Sequence, residues 1–62
     1  MSMNATVEEL NIGDVFVFKG DMTLYTYMGI FSYNRGDYLV YKTGSSPCIK
    51  RLDLSEQIQV MK

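Results

Sequence analysis

Few side chains in this 62-residue chain are equipped for chemistry. Cys48 is the one cysteine, and no histidine exists to take its proton, so a thiolate mechanism lacks its base. A lone cysteine beside Ile49 reads instead as a small buried hydrophobe. Glu8-Glu9 and the Asp53, Glu56 pair are neighbouring acids on turns, where side chains are solvated, and nothing in the sequence sets either pair in a pocket. Ser45-Ser46 has no base or oxyanion donor in its surroundings, and the acids do not follow the spacing of a calcium loop. A chain this short also has little room to enclose a ligand pocket of ~300 Å³. The expectation is a protein that is not an enzyme, with no catalytic residue, cofactor or metal.

What remains is the chemistry of contact, in two constellations. The first is aromatic: Tyr25, Tyr27, Phe31, Tyr33 and Tyr41 crowd into 17 residues. Tyrosine offers broad contact area, few rotatable bonds and a hydroxyl that tolerates water, which suits protein interfaces. The second is Lys42, Lys50 and Arg51 with tyrosines nearby, cations for phosphate and rings for base stacking. Six basic and seven acidic residues leave a formal charge of −1 and no run of like charge beyond two residues. Such a balance exerts little general pull on phosphate backbones or anionic lipid. Lysines on a strand edge also serve to discourage unwanted pairing.

These side chains must be set by strands. Thr26 to Thr43 holds two alternating runs joined by Asn34-Arg35-Gly36, which predicts a β-hairpin with a three-residue loop, Gly36 supplying the positive φ of a bulge. Closing that loop with Tyr33 opposite Asp37 sets Phe31 opposite Leu39, Ile30 opposite Val40, Gly29 opposite Tyr41 and Met28 opposite Lys42. One face then carries Tyr25, Tyr27, Phe31, Leu39 and Tyr41, the other Met28, Ile30, Tyr38 and Val40. Only one can be the main core of so short a chain, so the aromatic face is the expected contact surface. Gly29 marks either a glycine covered by a ring or a bend in its strand.

The other elements read more simply. Thr6-Val7-Glu8-Glu9 spells a capping box for one helical turn, with Leu10 and Ile12 folding onto the core. Strands are expected at Val15–Phe18, about Thr23–Phe31, Asp37–Lys42, Cys48–Leu52 and Ile58–Met61, with Gly44-Ser45-Ser46-Pro47 as a longer loop. Asp53 to Glu56 reads as a tight turn, one 3₁₀ turn before the last strand. Five short, closely spaced strands predict an all-β fold, a small closed or nearly closed barrel, which removes exposed edges.

Gly13-Asp14-Val15-Phe16-Val17-Phe18-Lys19-Gly20 resembles the opening strand of SH3-like barrels, above all the KOW type. Leu54-Ser55-Glu56 before Ile58-Gln59-Val60 resembles the 3₁₀ turn ahead of their last strand. The resemblance covers under half the chain and implies a five-stranded SH3-like barrel. Gly20 falls one residue early for the KOW pattern, the chain has no Trp, and the Ala-Leu-Tyr-Asp-Tyr motif of the signalling domains is missing, so no functional residue carries over.

Length bounds the rest. Residues 1–62 are expected to form one SH3-like domain, with residues 1–9 as an arm or single helical turn. Such a domain carries about 3–5 kcal/mol of net stability, here without disulfide or zinc. No stretch approaches the ~20 apolar residues that span a bilayer, so no membrane partner is expected. Met1-Ser2-Met3-Asn4 lacks the basic and apolar regions of a secretory signal, which with a lone cysteine leads us to expect a cytoplasmic protein. The function expected is a small binding module for another protein, contacting it through Tyr25, Tyr27, Phe31, Tyr33 and Tyr41. An inhibitor or modulator of a larger host protein, encoded by a phage or mobile element, is one setting that its size suits. The alternatives are a nucleic-acid-binding barrel using Lys42, Lys50 and Arg51, and a structural subunit that self-associates into a homo-oligomer.

Overall fold

The computed structural model describes residues 2–61. The 13–18 stretch folds as its alternation dictates, with Phe16 buried in the middle of a strand bounded by turns at Gly13-Asp14 and Gly20-Asp21. Around it six strands form one antiparallel sheet: β1 (Ser2–Thr6), β2 (Val15–Phe18), β3 (Tyr25–Tyr33), β4 (Gly36–Thr43), β5 (Ser46–Arg51) and β6 (Gln57–Met61). Their order is β1-β6-β2-β3-β4-β5, so β1 and β5 are edges and the sheet does not close on itself.

The all-β expectation holds, with one strand more than the five expected. Residues 2–6, read as an arm or helical turn, pair with β6, Asn4 opposite Gln59 and Ala5 opposite Ile58. The segment is too short and polar to show a period of two, and β6 supplies the partner that makes it a strand. A 3₁₀ turn at Val7–Glu9 follows, where the Glu9 carboxylate accepts the Thr6 N–H at 2.8 Å. Ahead of β6, the Glu56 N–H donates to the Asp53 carbonyl at 3.1 Å, and Ser55 donates to the Asp53 side chain from its N–H and its hydroxyl. That is a hydrogen-bonded β-turn braced by an aspartate, and the 3₁₀ element lies at Val7–Glu9 instead.

Opposed residues share a face of a sheet, so the register defines an inner and an outer side. Phe16, Leu39, Ile58 and Val60 point inward, and Val7 and Leu10 descend onto them from the 3₁₀ turn. Each fully buried side chain of this size contributes roughly 1.5–3 kcal/mol. Strand β6 alternates cleanly, Ile58 and Val60 buried and Gln57, Gln59 and Met61 exposed. Ile12, expected in the core, is 73% exposed. The chain turns away after Leu10, where the Asp14 N–H donates to the Asn11 carbonyl and the Asn11 N–H to the Asp14 carboxylate, both at 2.9 Å.

Both hairpin loops are tighter than expected. Tyr33 pairs with Gly36, leaving Asn34 and Arg35 as a two-residue loop with φ of 49° and 65°. Two positive φ values are the signature of a type I′ turn, whose twist matches that of its strands. Gly36 is therefore a strand residue with ordinary φ. Its hydrogen makes room for neighbours: the Arg51 guanidinium carbon and the Tyr38 ring each lie 3.4 Å from where a Cβ would stand. Thr43 pairs with Ser46 across Gly44-Ser45, with positive φ at Gly44 alone, as in a type II′ turn. Pro47 thus falls within β5, and an edge strand is where a residue without an N–H is tolerated.

Between the turns, β3 has one residue too many. Tyr27 pairs with Tyr41 and Gly29 with Val40, so Met28 is bulged out and Gly29 takes a φ of 117°. A bulge of this kind reverses which parity faces inward. Tyr25 and Tyr27 point inward before it, Ile30 after it, and Phe31 and Tyr33 emerge on the outer side.

Candidate functional site

The bulge divides the expected aromatic site. Tyr27 is 6% exposed and belongs to the core, so it is no contact residue. Tyr25 and Tyr41 also lie inward, half-buried in a cluster with Phe16 and Phe18. Their ring centroids are 4.9 Å apart and nearly perpendicular, and Phe18 meets both rings edge-on at 5.4 Å. Edge-to-face packing of this type adds about 0.5–1.5 kcal/mol per pair beyond burial. Burial raises the pKa of both tyrosines, and at Tyr25 the phenol also donates to Asp21 Oδ2 at 3.1 Å. Asp21 is correspondingly lowered, first by the Thr23 N–H that it accepts.

Phe31 and Tyr33 behave differently. They are 50% and 65% exposed, with rings stacked 14° from parallel at 6.1 Å. The outer register joins them to Tyr38 and Val40 of β4 and to Ile49 of β5. Tyr38 and Val40 are half-buried, while Ile49 is 58% exposed. At the bulge end of this face Met28 is exposed, and Ile12 Cδ1 lies 3.6 Å from where a Gly29 Cβ would stand. The expected site thus keeps Phe31 and Tyr33 and loses Tyr25, Tyr27 and Tyr41. Ile49, Tyr38 and Val40 were missed because the assumed register set the last two with the core.

Strand β5 runs against the usual polarity. Ile49 faces out, while Lys50 pairs opposite Leu39 and faces in. There the Lys50 ammonium lies 4.5 Å above the Phe18 ring and 2.9 Å from Glu56 Oε1. The type II′ turn fixes this register: one residue of slip would bring Ile49 inward and Lys50 out. Cys48 shares the inner side with Tyr41, half-buried as a small apolar residue would be.

The three cations of the nucleic-acid alternative are not brought together. Lys50 sits on the inner side against its carboxylate, whereas Lys42 and Arg51 lie on the outer side. Arg51 Cζ is 5.9 Å from the Tyr38 ring centroid.

Two hollows also mark the surface. One of ≈ 470 Å³, larger than so short a chain was expected to form, is lined by Asn4, Thr6, Glu9, Lys19, Gln57 and Gln59 together with Ala5 and Ile58. Its polar groups are largely engaged with one another: Gln59 donates to Asn4, Lys19 to Gln57, and Glu9 accepts from Thr6. The other, of ≈ 270 Å³, is an apolar cleft between Val7, Tyr27, Ile30, Leu52 and Leu54, with Glu8 at its rim. Among the described residues no three His, Cys, Asp or Glu side chains converge as metal ligands, and no helix is long and apolar enough to cross a membrane. No family model, no curated protein and no solved structure matches the chain.

Proposed function

We propose that the protein is a small, non-catalytic binding module that meets another protein through the outer side of β3, β4 and β5. The observation that carries this reading is the inverted polarity of β5, with Ile49 exposed on the same side of the sheet as Phe31 and Tyr33, in line with Val40, while Lys50 is turned inward. An apolar sheet face rimmed by polar residues is what a partner's apolar surface covers. In architecture we read the fold as an SH3-like barrel left open between β1 and β5. Strands β2 to β6 and the turn at Asp53–Glu56 ahead of the last strand support that reading.

Affinity capture from nuclease-treated lysate tests the function. A Phe31→Ser/Tyr33→Ser variant should lose a protein that wild type retains, while Gln57→Ser/Gln59→Ser, on the polar half of the same side, should keep it. Equal capture by all three would contradict the reading. Loss of capture on nuclease treatment would move it to nucleic acid.

A further inference from the structure

Charge on the binding face is one-sided, although the whole chain carries −1. Lys42 and Arg51 are the charged residues on the outer side of β3 to β5, and Arg35 stands at the exposed tip of the β3–β4 turn. Among the described residues no acid lies on the outer side of these three strands. Asp37 points inward and accepts from the Ser32 hydroxyl at 2.6 Å, and Glu56 is held by Lys50. The other five acids, Glu8, Glu9, Asp14, Asp21 and Asp53, lie in turns outside these three strands. The Arg51 guanidinium lies over Gly36, 5.9 Å from the Tyr38 ring centroid. Among the described residues neither Lys42 nor Arg51 pairs with an acid.

Resting on the binding face assigned above, we propose that its occupant is a protein segment whose apolar side chains are flanked by carboxylates. Its apolar residues cover Phe31, Tyr33 and Ile49, and its acids meet Lys42 and Arg51 at the rim. Unpaired cations beside an apolar centre favour an acidic partner and repel a basic one. A second copy of this chain fits poorly, because a two-fold contact through this face sets cation against cation with no acid to answer them. Nucleic acid fits poorly too: the exposed aliphatics Ile49, Met28 and Ile12 offer nothing to phosphate, and Lys50 is engaged on the opposite side.

The test is selection of a displayed library of random short peptides on the immobilised full chain. Enriched peptides should carry Asp or Glu on either side of an aromatic or aliphatic pair. Their binding should vanish with Phe31→Ser and weaken roughly tenfold with Lys42→Glu/Arg51→Glu, and it should fall with added salt. Circular dichroism melting of each variant checks the fold. Should the charge reversal unfold the chain, Lys42→Ser/Arg51→Gln and the salt titration give the same answer. Peptides that need Phe31 but show no acidic preference would overturn the inference and leave the binding face standing. Peptides indifferent to Phe31→Ser, or no enrichment at all, would overturn both. Tight binding of an oligothymidine that the charge reversal abolishes, or a dimer in light scattering that Phe31→Ser dissolves, would equally overturn it.

Discussion

The aromatic rings on the two sides of this sheet come from the same hairpin and have opposite fates. Inside, Tyr25 and Tyr41 interlock with Phe16 and Phe18, each ring edge-on or tilted to its neighbours, with Tyr27 sealed beneath. Outside, Phe31 and Tyr33 lie stacked against one another with half or more of each ring in water. Residue type does not separate them, since tyrosine appears in both sets. One bulged residue, Met28, does. The comparison teaches that the burial of a tyrosine on a strand is a property of register, and that a single insertion decides which rings are enclosed and which face solvent.

The difference can be tested from both sides. The largest effect belongs to the inner set: Phe16 is fully enclosed, and Phe16→Ala should cost about 3–5 kcal/mol. That matches the ~3–5 kcal/mol available to a domain of this length, so circular dichroism should report a largely unfolded chain at room temperature. Next comes the device that separates the two sets. Gly29→Ala forces a side chain onto a φ of 117° with Ile12 close by, and about 1–3 kcal/mol should be lost in urea unfolding. The turn between the sets offers a gain. Arg35 holds a φ of 65°, and Arg35→Gly should raise stability by about 1 kcal/mol in the same assay.

A smaller effect comes from the protons of the inner tyrosines. Burial lifts Tyr25 and Tyr41 above the ordinary value of 10.0, so the folded chain holds these protons more tightly than the unfolded one. Their contribution is intact below that value and is lost as pH rises through the raised ones. The melting temperature should therefore fall in that alkaline range, and Tyr25→Phe/Tyr41→Phe should blunt the fall. Smallest of all for stability is the outer pair. Phe31→Ser and Tyr33→Ser should each stay within about 0.5 kcal/mol of wild type by thermal melting, while binding is lost.

Much of the fold is legible in the chain because local pattern and tertiary context agree there. Val15–Phe18, the alternation of β6 and the hairpin itself all read correctly. The failures have physical causes. Asn34-Arg35-Gly36 is compatible with two loops, and the one formed places strain on Asn34 and Arg35 and packs Gly36 beneath Arg51. A bulge leaves little trace when the extra residue is an ordinary methionine, and Gly29 was the one hint of it. With the parity flip at Met28 unread, the expected site joined Tyr25, Tyr27 and Tyr41 to Phe31 and Tyr33, and it omitted Ile49. Lys50 read as exposed because its inward partners, Phe18 and Glu56, are 32 and six positions away in sequence.

Nuclear magnetic resonance with a soluble paramagnetic co-solute tests the division of rings most directly. Side-chain signals of Phe31, Tyr33 and Ile49 should broaden strongly while those of Tyr27, Phe16 and Leu39 stay sharp. Equal broadening of Tyr27 and Phe31 would place them on one face and contradict the account.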